Sequence, residues 1–213
     1  MLHGFARIGD VPWLLSSLGP SSLGHFDEAT AEFAATLRLN PHPYIWQSGS
    51  HAEALSATGH YEQAIAEIEA AVAAQPKSPL GLLYRGRVEM WAGHYAEAAG
   101  WFEQARELDP ASSPHALFLA QVHDQLGRVE DAISLLEMGP PHWRSVPEVR
   151  LWLALSYALA GRKEQAAVEF AAFRSLAPKW TLSTTQRFWA RYFTPQFFDR
   201  IAALSQEYGI PEK

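Results

Sequence analysis

The sequence predicts an all-α fold, an α-solenoid of about five helix–turn–helix units with a helical cap at its C-terminal end. Three observations predict it. A short string recurs five times: Gly24-His-Phe-Asp-Glu-Ala29, Gly59-His-Tyr-Glu-Gln-Ala64, Gly93-His-Tyr-Ala-Glu-Ala98, Gly127-Arg-Val-Glu-Asp-Ala132 and Gly161-Arg-Lys-Glu-Gln-Ala166. Its glycines lie 35, 34, 34 and 34 residues apart, the fixed register of a stacked-repeat architecture. Between the strings the apolar period is helical: Phe102 and Ala105 follow Ala98, and Phe170 and Phe173 follow Ala166, at steps of four and three.

Each part of the string has a mechanical role. The glycine ends a first helix, where a left-handed residue is cheap only without Cβ. The acidic residues then open a second helix at the positive end of its dipole. The alanine is small enough for the two helices to approach. Pro41, Pro76, Pro110 and Pro178 follow second helices and help to stop them. Small residues also recur in the first helices, as Ala52, Gly86, Ala120 and Ala154, and mark the expected contact between paired helices. The units are placed at 10–42, 43–77, 78–111, 112–145 and 146–178, with 179–213 as capping helices. The first unit is interrupted by Gly19-Pro20-Ser21-Ser22, and the fourth closes on Gly139-Pro140-Pro141.

The segment after Pro178 does not repeat. Phe188, Trp189, Tyr192 and Phe193 form two i, i+4 aromatic pairs if they share one helix, and Phe197, Phe198, Ile201 and Leu204 continue the stripe beyond Pro195. Arg187, Arg191 and Arg200 alternate with them. Rings interleaved with cations can stack on single-stranded nucleic acid. The same pattern also seals the open end of a solenoid, and over the apolar run Leu151–Leu159 the capping reading is preferred.

Composition narrows the function. With 48% hydrophobic and 12% aromatic residues, the 213-residue chain can bury a core and is not a disordered one. A net charge of −6 argues against a phosphate-binding surface, so no nucleic-acid partner is expected. The absence of cysteine removes disulfides, thiolate catalysis and cysteine-ligated metal, and fits a cytoplasmic location. No apolar run reaches the roughly 18–20 residues of a membrane span, and Met1–Asp10 is a poor leader, so no membrane partner is expected.

The period and the Gly…Ala…Phe…Pro order resemble the tetratricopeptide repeat over residues 10–178. The resemblance implies a right-handed superhelical stack whose concave face is lined by first helices. It also implies protein binding, in the manner of a bacterial, soluble scaffold. A second likeness concerns Leu39-Asn-Pro-His-Pro43, Leu108-Asp-Pro110 and the tail Tyr208-Gly-Ile-Pro-Glu212. These are similar to the C-terminal repeat region of bacterial proteins that join such repeats to a nucleotide cyclase or winged-helix regulator. That likeness implies a regulatory, ligand-sensing module standing without its catalytic domain.

Helical spacing then selects candidate groove residues. Leu83, Arg87, Met90 and Trp91 fall on one stripe of the third unit; Trp46 and Glu53 fall on that of the second; Leu117, Gln121, Asp124 and Gln125 on that of the fourth. Exposed Trp and Arg suit a protein or peptide partner, because such residues anchor interfaces; Met90 and Trp91 equally suit a seam between units. The carboxylate clamp of some tetratricopeptide proteins is missing: Leu83 and Leu117 stand where lysine is wanted, Glu53 and Gln121 where asparagine is. Self-association through the solenoid ends is a further expectation.

No enzymatic chemistry is expected. There is no Gly-x-Ser-x-Gly and no phosphate loop, and Gly81–Gly86 lacks the Lys-Ser/Thr that would complete one. Ser50 and His51 are neighbours on a helix and point about 100° apart. His25, His60 and His94 belong to the repeat, and His115 and His123 are two turns apart, about 12 Å, too far to share a metal. No cofactor is expected.

Overall fold

The structure, a computed structural model, describes residues 31, 33 and 44–213, with the backbone alone at 187 and 188. The expected first unit at 10–42 falls almost wholly outside the described residues. Gly19-Pro20, the string from Gly24 to Ala29, Pro41 and His42 are among the positions left out, as is the N-terminal end proposed for self-association.

Ten α-helices occupy the described residues. They are α1 (Ile45–Ala57), α2 (Tyr61–Ala74), α3 (Pro79–Ala92), α4 (Tyr95–Leu108), α5 (Ser113–Gln125), α6 (Val129–Glu137), α7 (Pro147–Leu159), α8 (Lys163–Leu176), α9 (Leu182–Trp189) and α10 (Pro195–Glu207). Short 3₁₀ turns occupy Pro141–Ser145 and Ala190–Tyr192. Each helix of the repeats packs on the next, and the first helices α1, α3, α5 and α7 also pack on one another. That is a stack of helix pairs, and the fold is an α-solenoid.

The repeated glycine builds the turn within each pair. Gly59, Gly93, Gly127 and Gly161 all have φ between +75° and +83°. The residue after each donates back across the helix end: His60 N to Leu55 O at 2.8 Å, His94 N to Glu89 O at 2.9 Å, Arg128 N to His123 O at 2.7 Å and Arg162 N to Tyr157 O at 2.9 Å. This six-to-one bond satisfies a terminal carbonyl that would otherwise be left over. Second helices begin with Glu62, Glu97, Glu130 or Glu164 in their first turn.

The small residues of the first helices sit where helices meet. Ala52, Ala120 and Ala154 are fully buried. A Cβ on Gly86 would overlap the Phe102 ring, so the α3–α4 contact is closed by the absence of that atom. The early end of the fourth unit has its own lock. The Trp143 ring lies so close to Gly139 that a Cβ there would overlap it, and its Nε1 donates to Ala111 O at 3.1 Å.

The C-terminal segment departs from expectation in one respect. Trp189 and Phe193 do not lie on one helix, and neither do positions 188 and 192. The helix stops at Trp189, a 3₁₀ turn follows, and Phe193 is extended at φ −127°, ψ 159°. Pro195 accounts for the last residue of the break: it disfavours the helical region for the residue before it, so Thr194 sits at ψ 146° and caps α10 by accepting from Phe197 N. α10 ends on the same glycine device as the repeats, with Gly209 at φ +85° and Ile210 N bonded to Ser205 O at 2.9 Å. The tail then returns to the start of α9, where Pro211 O accepts from Leu182 N at 2.8 Å and Glu212 O from Ser183 N at 3.3 Å.

Candidate functional site

Because units recur at 34 residues, equivalent first-helix positions form rows across the stack. Glu53, Arg87, Gln121 and Leu155 are one row; Ser50, Tyr84, Phe118 and Trp152 are another, one turn away. The segment between α9 and α10 lies along these rows. Trp189 and Phe193 each place their rings 5.4 Å from Trp152 of α7. Tyr192 reaches further, with its ring 6.0 Å from Phe118 of α5 and 5.4 Å from Trp91 of α3. Gln125 Nε2 donates to Thr194 Oγ1 at 3.2 Å.

At the end of that reach is a buried ionic triangle. Arg87 Nη2 lies 2.5 Å from Glu53 Oε1 and donates to the Tyr192 hydroxyl at 2.9 Å; the hydroxyl donates to Glu53 Oε1 at 3.2 Å. Arg87 is 0% exposed, Glu53 3% and Tyr192 2%. The guanidinium also faces the rings of Phe118 at 5.2 Å, Tyr84 at 5.5 Å and Tyr192 at 5.8 Å, a favourable setting for a cation. Burial opposes the charge on Arg87, but the Glu53 carboxylate, Tyr192 and Tyr84 together more than offset this and raise its pKa. Burial pushes the Glu53 carboxyl up, and Arg87, Arg191 and the Tyr192 hydroxyl act against that rise. At 2.5 Å from a guanidinium that keeps its proton, the pair is ionic.

One unit along, Asp124 and Ser156 form a second polar contact, with their oxygens 2.7 Å apart. Ser156 Oγ also lies 2.8 Å from Trp152 O. A hydroxyl has one proton and cannot donate to both. Both contacts are hydrogen bonds if Asp124 is protonated, donates to Ser156, and Ser156 donates to the carbonyl. Burial pushes the Asp124 carboxyl up to about 8, which agrees with that arrangement. Gln121, next to Arg87 in its row, is 0% exposed, and neither of its amide atoms has a hydrogen-bond partner among the described residues.

The sequence-derived groove residues thus divide. Leu83, Met90 and Leu117 are buried in the core. Glu53 and Arg87 meet directly, and Gln121 and Asp124 are buried beside them in the stack. Trp91 and Gln125 are half-buried against Tyr192 and Thr194, and Trp46 stands 52% exposed at the start of α1. At Glu53, Arg87, Gln121 and Asp124 the rows are therefore not an open trough; the chain's own residues cover them. Spacing alone missed Tyr192, Thr194, Phe118 and Ser156. Phe118 and Trp152 had a signal, since they share a 34-residue row with Tyr84. Tyr192 was marked only as one ring of the aromatic stripe, and nothing in the period said that it would reach Arg87 and Glu53.

This geometry defines a class, the helix-pair solenoids whose first helices form a concave face. Tetratricopeptide repeat profiles match residues 50–113, 90–144 and 148–179. Residues 50–144 and 148–179 are tetratricopeptide repeats. No curated protein sequence matches the chain. Among solved structures it is similar to TTC0263, a thermophilic TPR protein of Thermus thermophilus, at 22% identity and a TM-score of 0.66, over 83% of this chain and 95% of that one. It is also similar to MamA of AMB-1, at 18% identity and a TM-score of 0.59, over 76% and 96%. YrrB, described as a TPR protein with an unusual peptide-binding site, matches at 18% identity and a TM-score of 0.54, over 82% and 93%. At these identities the likeness is one of fold. Among the described residues, no helix is long and apolar enough to cross a membrane, and no group of three or more His, Asp or Glu could hold a metal ion.

Proposed function

We propose that the protein is an interaction scaffold whose concave rows, centred on Glu53 and Arg87, receive a segment of a protein partner. One observation carries the reading: the rows already accommodate a non-repetitive stretch of polypeptide, Trp189–Thr194, through ring packing and side-chain hydrogen bonds. A face that holds one short peptide stretch in this way has the chemistry to hold another. The peptide-binding site named for YrrB, a neighbour in fold, is consistent with this use of the architecture. Nothing in the reading requires catalysis.

A second reading is a ligand-sensing module of a nucleotide cyclase or transcription-regulator system. The buried Gln121 amide, without a partner among the described residues, favours it, because an unpaired buried amide suits a small polar ligand better than a broad interface does.

Photo-crosslinking tests the scaffold reading. A benzoyl-phenylalanine replaces Gln125 in one variant and the exposed Val168 of α8 in another, and both are irradiated in native lysate. The expected result is a defined partner segment attached at 125 and not at 168. The same proteins captured from both positions, or attachment at 125 to the chain itself alone, would overturn it.

A further inference from the structure

We propose that Ala190–Thr194 is an internal ligand that latches the concave face shut, and that the partner segment which displaces it presents a tyrosine to the Glu53–Arg87 pair. The inference rests on the scaffold reading above and gives its partner a chemistry.

The two halves of the C-terminal contact differ in kind. Around α7 the contact is ring on ring: Trp189 and Phe193 on Trp152, and Trp189 on Trp180 at 5.5 Å. That is how a solenoid end is sealed. Two units away the same segment covers an ion pair with a tyrosine hydroxyl. A seal has no need of this. Burying two charges costs several kcal/mol of solvation, which apolar packing of the same volume avoids. When Tyr192 withdraws, Glu53 and Arg87 regain water. The charges that make the closed state costly therefore make the open state accessible.

The backbone suits such a latch. Ala190–Thr194 is a 3₁₀ turn and an extended pair of residues between two helices, held at one end by Trp189 and at the other by the Thr194 cap and Pro195. Arg191–Phe193 lie between the Ala190 cap of α9 and the Thr194 cap of α10, so Tyr192 can withdraw without unwinding either helix. Its fit is also incomplete. Tyr192 engages Glu53 and Arg87, yet the next side chain of the row, Gln121, keeps both amide atoms unbonded among the described residues. A partner segment with a polar group beside its tyrosine would bond where the internal ligand does not.

The required partner chemistry is legible in the contacts. The ring must fit among Trp91, Phe118 and the Arg87 guanidinium, and the hydroxyl must accept from Arg87 while donating to Glu53. Phenylalanine meets the first demand and fails the second, leaving buried charged groups short of a hydrogen bond.

Fluorescence anisotropy with a labelled peptide of the chain's own sequence, Phe-Trp-Ala-Arg-Tyr-Phe-Thr-Pro-Gln, tests this on the full chain. The Tyr192→Ala variant is expected to bind the peptide at least about tenfold more tightly than wild type, since a closed latch lowers apparent affinity by the fraction of open molecules. A peptide with phenylalanine for tyrosine is expected to bind that variant about tenfold less tightly, and Glu53→Gln in the same background to narrow the difference. Tyr192→Phe, which removes only the hydroxyl, decides the matter if circular dichroism shows that Tyr192→Ala is unfolded; it is expected to bind the tyrosine peptide several-fold better than wild type does. Equal binding to wild type and the Tyr192 variants, or no preference for tyrosine, would overturn the latch. Crosslinking at 125 that finds a partner insensitive to the tyrosine peptide removes the latch and leaves the scaffold. Peptide exchange that prefers tyrosine, with no partner at 125, leaves the internal latch standing but overturns the scaffold and, with it, the partner segment assigned to the latch.

Discussion

Arg87 Nη2 and Glu53 Oε1 are 2.5 Å apart, on different helix pairs and in side chains that are both buried. Glu53 and Arg87 occupy the same position in successive repeats, 34 residues apart, so the pair links neighbouring units along one row. Tyr192 bridges them from 139 residues away in sequence from Glu53.

Removing one member of the pair is predicted to be costly. Glu53→Ala leaves the guanidinium buried without its counter-charge, and breaking a buried pair in this way costs about 3–5 kcal/mol. The triple variant Glu53→Leu/Arg87→Met/Tyr192→Phe removes every polar member at once and is predicted to be as stable as wild type, or more so. Urea denaturation of both variants is the measurement. A triple variant as unstable as Glu53→Ala would show that the triangle itself holds the stack together.

The 34-residue register made the fold legible. Gly59, Gly93, Gly127 and Gly161 can be found in the sequence because each is fixed by a local requirement, a positive φ at a helix end. Local requirements repeat, and repetition is visible. The stripe at Glu53 and Arg87 was equally legible, since helix geometry decides which residues share a face. What covers that face was not. Tyr192 reaches Arg87 across 105 residues, and nothing in the repeat period encodes where a non-repetitive segment will lie. The break after Trp189 had a local sign in Pro195, which bears on Thr194 directly, but the extent of the 3₁₀ turn depends on where Trp152 holds the rings.

Three glycines are predicted to respond to alanine in different ways. At Gly86 a Cβ meets the packed Phe102 ring, and overpacking of this kind costs about 1–3 kcal/mol. At Gly93 the space is open among the described residues but φ is +80°, so the cost is conformational, about 1–2 kcal/mol. Gly100 lies inside α4, where an added Cβ would meet no described atom within 4 Å beyond its neighbours and the helix's own backbone, and alanine there is predicted to stabilise by about 0.5–1 kcal/mol. Equilibrium denaturation of the three variants gives the signs. A destabilising Gly100→Ala would mean that the convex side of α4 contacts something more.

Asp124 predicts a pH dependence. Its carboxyl is pushed up by burial from 3.8 to about 8. Between those values the folded chain holds a proton that the unfolded chain has released. The Asp124 contribution to stability is therefore largest at the acid end of the window, falls as pH rises through it, and levels off above about pH 8. Asn is neutral throughout and similar in shape, so the wild-type-minus-Asp124→Asn difference in stability is predicted to become steadily less favourable to wild type from about pH 4.5 to about pH 8.5. Thermal denaturation at each pH measures it. A flat difference would mean that Asp124 is ionised in the fold and that Ser156 donates to it rather than to Trp152 O.

Trp189 gives the last prediction, and it concerns how far a change travels. Its ring is 1% exposed and packs between Trp152 and Trp180. Replacement by alanine removes a large buried ring and costs about 3–5 kcal/mol. In a repeat stack where each unit touches only its neighbours, that loss would stay near α7 and α8. Here Trp189 immediately precedes Ala190–Tyr192, and Tyr192 is bonded to Glu53 of α1. Trp189→Ala is therefore predicted to speed amide hydrogen exchange at both ends, in α7 around Leu155 and in α1 around Ala52. Tyr192→Phe, which leaves the Trp189 contacts in place, is predicted to speed exchange in α1 and to leave α7 as it was. Faster exchange confined to α7 and α8 in the Trp189 variant would mean that the segment seals one end of the stack and does not couple it to the other.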